Sequence, residues 1–238
     1  MKTDIMGIPF DNVTMDEAIQ RATELLETEK FYCVTPNSEI VYDAMHNSEL
    51  MELLRGAALI LPDGAGVVLA SKILKRPLKQ KVAGVDFSDR LLEVLAARGL
   101  RLYLFGSSAG TAEAAAAVMQ KRHPGLYICG TACGYFNDEA AEVAKINAAH
   151  ADVVFVCLGS PKQELFIRDH IHELDVKMMI GLGGTLNAFS GKTKRAPQWM
   201  IRLNLEWLYR LIKEPRRIGR MMRLPKFILT VIFRGRKG

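Results

Sequence analysis

ADVVFVCLGSPKQELFIRDH, residues 151–170, decides the fold. Every position from Val153 to Leu158 is apolar, so a strand formed here must be buried on both faces. Gly159-Ser160-Pro161 then breaks the run, and a helix-like segment follows over 161–173. The same unit recurs along the chain. Apolar, β-rich runs at 31–35, 57–62, 100–106, 126–132 and 177–184 alternate with helix-like segments near 38–54, 64–74, 86–97, 109–122 and 138–149. Ahead of them, Thr14-Met15-Asp16-Glu17 has the form of a capping box and predicts a helix over 15–28. Fully apolar strands alternating with helices indicate an α/β, doubly wound protein with a mostly parallel sheet and helices on both faces.

The chain has 238 residues, enough for one substantial core. A hydrophobic fraction of 49% and a charged fraction of 24% are those of a globular protein. The start, MKTDIMGIPFDN, carries no apolar stretch of signal-peptide length, and no run approaches the ~18 apolar residues of a spanning helix. Cys33, Cys129, Cys133 and Cys157 stand among apolar neighbours without zinc-finger spacing, so buried free thiols and a reducing cytoplasm are expected. The net charge of +6 is uneven. Residues 195–238 hold twelve Lys/Arg and two Glu, net +10, against 20 basic and 24 acidic residues before them. That change marks the expected division into an α/β core, 1–194, and a basic C-terminal appendage, 195–238.

In a doubly wound sheet the ligand crevice lies beyond the carboxyl ends of the strands. Those ends read TPNSE, PDGAG, GSSAGT, GSPKQE and GLGGT, rich in Gly, Pro and small polar residues. Such turns let a ligand approach the backbone and leave helix N-terminal amides for anions, which points to a phosphate-bearing ligand. Asp63, at the end of an apolar run and before two glycines, would stand at the crevice floor, either as a helix N-cap or as a general base.

Other chemistries fit less well. Gly106-Ser107-Ser108-Ala109-Gly110 has the G-x-S-x-G form of a hydrolase elbow, with Asp152 or Asp169 and His170 or His172 in triad order. No oxyanion-hole motif accompanies Ser108, which leaves the hydrolase a remote alternative. No G-x-G-x-x-G opens a βα unit and no P-loop is present, so neither dinucleotide nor P-loop chemistry is expected.

The segments TPNSE (35–39), PDGAGV (62–67), AGVD (83–86), GSPKQE (159–164), GLGGTLNAFSGKTKRAP (181–197) and LEWLYRLIKEPRR (205–217), with IMGIPFDNVT near the start, resemble the WecG/TagA/CpsF family of bacterial glycosyltransferases. The match runs in order along nearly the whole chain. It implies an inverting transfer of a sugar, N-acetylmannosamine or its uronic acid in the founding branches, from a UDP-linked donor. The acceptor would be N-acetylglucosamine on undecaprenyl diphosphate, in a wall teichoic acid linkage unit or a related surface polysaccharide. Capsule and exopolysaccharide relatives with another UDP-hexose donor are the alternative. The family's catalytic Asp falls on Asp63 and its active-site Thr on Thr35, with Asn37 and Asp86 in the matched motifs. Asn187 stands where the family usually has Asp, and Lys81 precedes the G-x-D element.

Inverting transfer needs a base at the acceptor hydroxyl and positive charge at the departing diphosphate. The chain has no D-x-D motif, so no metal and no other cofactor is expected. Gly106, Ser107, Gly159, Gly183 and Gly184 would offer backbone, and Lys162, Gln163, Glu164 and Arg195 side chains, to the UDP-sugar.

The tail has two parts. Trp199, Met200, Leu203, Trp207, Leu208 and Leu211 recur at helical spacing and predict one apolar face over 199–212. Beyond it, Arg216, Arg217, Arg220 and Arg223 alternate with Ile218, Met221 and Met222, and FILTVIF follows Pro225, where a helix break is expected. A basic, apolar segment too short to span suits diphosphate contact or docking at the anionic inner face of the cell membrane; the competing reading is a core-packed terminal helix. Without a recognised module, nucleic acid is not an expected partner, while a homo-oligomer is compatible with the sequence.

Overall fold

A computed structural model describes residues 1–203, 205–213, 215 and 218–234, with Arg210 and Arg220 in backbone only. Arg216, Arg217 and the Arg220 side chain therefore lie outside the described residues. The chain opens with a hairpin, β1 (Lys2–Ile5) and β2 (Ile8–Asp11), followed by α1 (Met15–Thr28) and β3 (Phe31–Val34). Next come α2 (Ser38–Ala44), α3 (Ser48–Arg55), β4 (Leu59–Ile60), α4 (Ala65–Ile73) and α5 (Gly84–Arg98). The second half runs β5 (Arg101–Gly106), α6 (Thr111–Arg122), β6 (Tyr127–Ala132), α7 (Glu139–Ala148), β7 (Val153–Cys157), α8 (Lys162–His170), β8 (Met178–Gly181) and α9 (Thr185–Phe189). The C-terminal helices are α10 (Gln198–Arg202), α11 (Glu206–Lys213), α12 (Ile218–Met221) and α13 (Arg223–Arg234).

Among the described residues six strands pair in the order β4-β3-β8-β7-β5-β6, all parallel. The opening stretch shows why. Val153 to Cys157 are at most 4% exposed, because β7 lies inside the sheet with helices above and below. Each fully buried Val or Phe side chain there contributes roughly 1.5–3 kcal/mol. The α1, α5, α6 and α9 side chains share the core on one face, while α2, α3, α4, α7, α8 and α13 cover the other. Neighbouring strands β3 and β8 thus lead into helices on opposite faces, as do β5 and β7. Crevices form where such chains part.

Local chemistry sets the boundaries. Thr14 Oγ1 accepts from the Glu17 amide at 3.2 Å and Glu17 Oε2 from the Thr14 amide at 2.8 Å, which completes the expected capping box. The helix expected over 38–54 is two helices, because Asn47 Oδ1 accepts from the Leu50 amide at 3.1 Å and starts α3 afresh. The hairpin was not expected. Met6 and Gly7 turn it with φ of 55° and 89°, the left-handed pair that suits a two-residue connection. Asp11 Oδ2 then accepts from the Ile60 amide at 2.8 Å, so the hairpin guards the β4 edge of the sheet.

The tail departs from its expected form. The apolar face over 199–212 is divided between α10 and α11; Met200 is buried, while Trp199 and Leu203 stay exposed. Pro225 does not break a helix: the break falls at Met222, and Pro225 sits in the first turn of α13, where a missing amide costs little. Phe227 and Val231 are fully buried against α2, α4 and the hairpin.

Gly106 closes β5 with φ of 131°, and a Cβ there would lie 2.3 Å from the Cys157 carbonyl oxygen. Gly110 also has positive φ, 74°, but faces open space. Gly110→Ala should therefore cost about 1 kcal/mol of backbone strain. Gly106→Ala should cost at least twice as much, measured from urea midpoints, because it adds a backbone clash that has no flexible side chain to yield.

Candidate active site

Two clefts open along the carboxyl edge of the sheet. The first, about 320 Å³, lies beyond β3, β4 and β8. Asp63 enters it from the loop after β4. Gly64, at φ +84°, is the N-cap residue of α4 and offers that helix no side chain, so Asp63 does not occupy the N-cap position. Beside it, Asn37 caps α2, its Oδ1 accepting from the amides of Glu39 at 2.9 Å and Ile40 at 3.1 Å. A Cβ on Gly64 would lie 3.5 Å from the Asn37 Cβ, so the Asp63 loop rests against that cap. Thr35 Oγ1 donates to the Gly181 carbonyl at 3.0 Å, tying the end of β3 to the end of β8. Its oxygen can still accept from a ligand.

The wall at the start of α8 is organised by Gln163. Its Oε1 accepts from the Gly183 amide at 2.8 Å and its Nε2 donates to Glu164 Oε1 at 2.9 Å. Gly181 has no side chain because a Cβ would meet Gln163 Nε2 at 2.9 Å. Gly159, Gly183 and Gly184 also line this cleft. Glu164 does not: it is 3% exposed, its second oxygen is buried without a partner, and burial pushes its carboxyl above the usual range. Its place is behind Gln163, not in the cleft.

Cationic groups stand around the mouth. Lys81, Lys194, Arg195 and Arg223 all line it. Arg195 is held by a two-pronged pair with Asp86, at 2.5 Å and 3.2 Å. Burial works against its charge, but Asp86, with Glu206 and Asp89 further off, more than offsets that and raises the guanidinium's pKa. Asp86, expected among the ligand contacts, positions Arg195 from outside the cleft. Arg223 pairs with Asp43 at 2.9 Å. Sequence reasoning did not assign Trp207, Met221 and Leu224 to the cleft, yet they close one side of it. Leu224 seats against Gly66, where a Cβ would come within 2.6 Å of its Cδ1. The apolar periodicity of the tail showed that these side chains needed cover, but not what they would cover.

The second cleft, about 350 Å³, lies beyond β5, β6 and β7. Ser107 and Lys162 face it, along with Tyr135 and Phe136 from the loop after β6, which the sequence reading passed over. Lys162 Nζ lies 4.1 Å from the centre of the Phe136 ring. Ser107 has φ of 63°, and its Oγ is buried without a partner. Gly106 supports this turn without lining the cleft. Residues 158–163 separate the two clefts, so the residues expected to hold one ligand are divided between two adjoining spaces.

The hydrolase triad does not assemble. Ser108 Oγ is occupied by Thr111 at 2.9 Å and by Lys192 Nζ at 3.0 Å. Asp152 precedes β7, at the opposite end of the sheet, and holds the Arg101 amide at 2.8 Å. His170 is engaged by Glu139 and Glu173 at the far end of α8. Among the described residues no group of three or more His, Cys, Asp or Glu gathers as a metal site.

Glu164 gives a pH-dependent test. A carboxyl whose folded pKa is raised costs nothing below its unfolded value, near 4.3, and destabilises the fold progressively as pH rises through the folded pKa. Glu164→Gln keeps the acceptor for Gln163 and removes the buried charge. Its unfolding midpoint should match the unsubstituted protein near pH 4 and exceed it at pH 8, the difference accumulating between the unfolded and the raised folded pKa. An equal or lower midpoint at pH 8 would show that the carboxylate is stabilised where it stands.

Comparison with known proteins gives the family. The family model described as "Glycosyl transferase WecG/TagA/CpsF family" matches residues 3–238. A Bacillus subtilis (strain 168) protein named N-acetylglucosaminyldiphosphoundecaprenol N-acetyl-beta-D-mannosaminyltransferase is 37% identical over 235 residues, covering 98% of this chain and 92% of its own. Proteins of the same name from Bacillus spizizenii (strain ATCC 23059 / NRRL B-14472 / W23) and Staphylococcus aureus (strain MRSA252) are 38% and 35% identical. The first match covers 88% of this chain and 82% of the relative, the second 99% and 94%. With matched motifs lining two adjoining clefts on one sheet edge, the chain belongs to the WecG/TagA/CpsF family of glycosyltransferases.

Proposed function

We propose that this enzyme transfers N-acetylmannosamine from UDP-N-acetylmannosamine to N-acetylglucosamine on undecaprenyl diphosphate, with inversion and without a metal. The names of its relatives supply the acceptor and the transferred sugar. The observation that carries the mechanism is Asp63, which lines a cleft rimmed by cations, beside Thr35 and Asn37. Asp63 takes the proton from the attacking hydroxyl of the acceptor. The departing diphosphate meets Arg195, held in place by Asp86, with Lys81 and Lys194 nearby. Tyr135, Ser107 and Lys162 suit the nucleotide end, because an exposed aromatic ring and a lysine can take a base and a phosphate together. Thr35, Asn37 and Gln163 hold the sugars between these ends.

The basic tail completes the site and docks the enzyme on the inner face of the cell membrane. An acceptor with a polyprenyl chain stays in the bilayer, and Arg223 sits where the tail meets the cleft. Among the described residues no helix is long and apolar enough to cross a membrane. A different UDP-hexose donor is the alternative reading, favoured by Asn187, which lines the cleft where the family usually has Asp.

Two measurements test this. Asp63→Asn should lose most turnover, ~10²-fold or more, while UDP binding by calorimetry stays within a few-fold. Near-unchanged turnover would remove Asp63 as the base. A panel of UDP-sugars with a lipid-diphosphate-GlcNAc analogue should give disaccharide only with the N-acetylmannosamine donor and equally with chelator present. Product from another donor would support the alternative, and inhibition by chelator would end the metal-free reading.

A further inference from the structure

The segment from Lys72 to Lys81, KILKRPLKQK, carries five Lys or Arg and no Asp or Glu, far in sequence from the basic tail. It covers the end of α4 and the turn after it. Lys79 is engaged by Glu17 at 2.6 Å, and Lys81 lines the cleft. Lys72, Lys75 and Arg76 are exposed, and among the described residues none of the three forms an ion pair or side-chain hydrogen bond. On the same helix, Leu69 and Ile73 are 48% and 37% exposed. A helix C-terminus favours cations by itself. It gives no reason to leave two large aliphatic side chains in water beside them.

The position of α4 supplies one. Gly66 and Ala70 form the line of α4 that α13 covers, and Leu69 and Ile73 lie on the adjoining flank by helical spacing. On α13 the outward side chains include Leu229, 54% exposed, and Phe233, 70% exposed, with Lys226 between them and the cleft. Both helices start at the cleft, through Gly66 and Leu224. At 1.5 Å per residue, Leu69 and Ile73 lie ~5 and ~10 Å along α4 from that rim, and Leu229 and Phe233 ~8 and ~14 Å along α13. The apolar groups of two adjoining helices are thus set beside one opening, with unpaired cations around them.

We propose that the outer flank of α4 and the turn through Arg76 form a second docking surface for an anionic lipid bilayer, continuous with that of α13. Charge complementarity commits the surface to this occupant: cations without carboxylate partners attract anionic headgroups, while the aliphatic groups insert shallowly. Two helices in contact fix a plane where one helix alone would leave the protein free to roll. The cleft mouth is then held toward the headgroup layer, where a lipid-linked diphosphate lies. The proposal rests on the membrane-docking part of the function proposed above.

The test uses the full chain with vesicles of phosphatidylcholine, with and without phosphatidylglycerol, at about 0.1 M salt. Two variants are compared, Lys72→Gln/Lys75→Gln/Arg76→Gln and Leu69→Ser/Ile73→Ser, all at exposed positions away from the cleft. The first should bind phosphatidylglycerol vesicles more than tenfold more weakly, since each cation contributes roughly fivefold. The second should bind more weakly in a manner insensitive to salt. Both should keep transfer to a short-chain, water-soluble acceptor. Vesicle binding equal to the unsubstituted protein would overturn the proposal while leaving tail docking intact. If the unsubstituted protein itself ignores anionic vesicles, the docking reading and this proposal fall together. A change in sedimentation mass with Leu69→Ser/Ile73→Ser and unchanged vesicle binding would mean that a second copy covers the face, and would also overturn it.

Discussion

A parallel sheet buried on both faces has only its edges and its strand ends to offer to solvent, and everything functional here depends on that constraint. Val153 to Cys157 have no exposed side to spare, so polar chemistry is confined to the turns where the chain leaves the sheet. Because the strands are parallel, those turns gather on one edge. Residues as distant in sequence as Thr35, Asp63, Gln163 and Gly183 become neighbours for this reason alone.

The turns are shaped by close backbone approach as much as by side chains. Gly106 lies against the Cys157 carbonyl, Gly181 against Gln163 and Gly66 against Leu224, and in each case the missing Cβ is what permits the contact. Behind the cleft, Glu164 and Asp86 keep Gln163 and Arg195 in place without lining it themselves. A site that must stabilise developing charge gains from such fixed donors, since no reorganisation is needed when the charge appears.

The C-terminal helices join the core and the site. Phe227 and Val231 fill the core above α2 and α4, while Trp207, Met221, Arg223 and Leu224 form one side of the cleft. The helix that secures the cleft wall also carries exposed apolar groups a few turns further along.

Much of this was legible in the sequence. Apolar runs spaced by helices specified parallel strands, Thr14 and Glu17 announced α1, and the glycine-rich turns together with the matched motifs pointed to Asp63, Thr35 and Gln163. Those features are local, or are set by strand burial, so a linear reading reaches them. The docking of the hairpin on the β4 edge, the retreat of Glu164 and Asp86 behind the cleft, the loop carrying Tyr135 and the seating of α13 were decided only by the tertiary structure. Each depends on which distant surfaces come together, and the same carboxylate can face a ligand or a neighbouring side chain according to how its helix is seated. The sequence by itself determined the layered architecture and the edge on which chemistry occurs. Only the folded chain decided which side chains touch that space and which hold the others still.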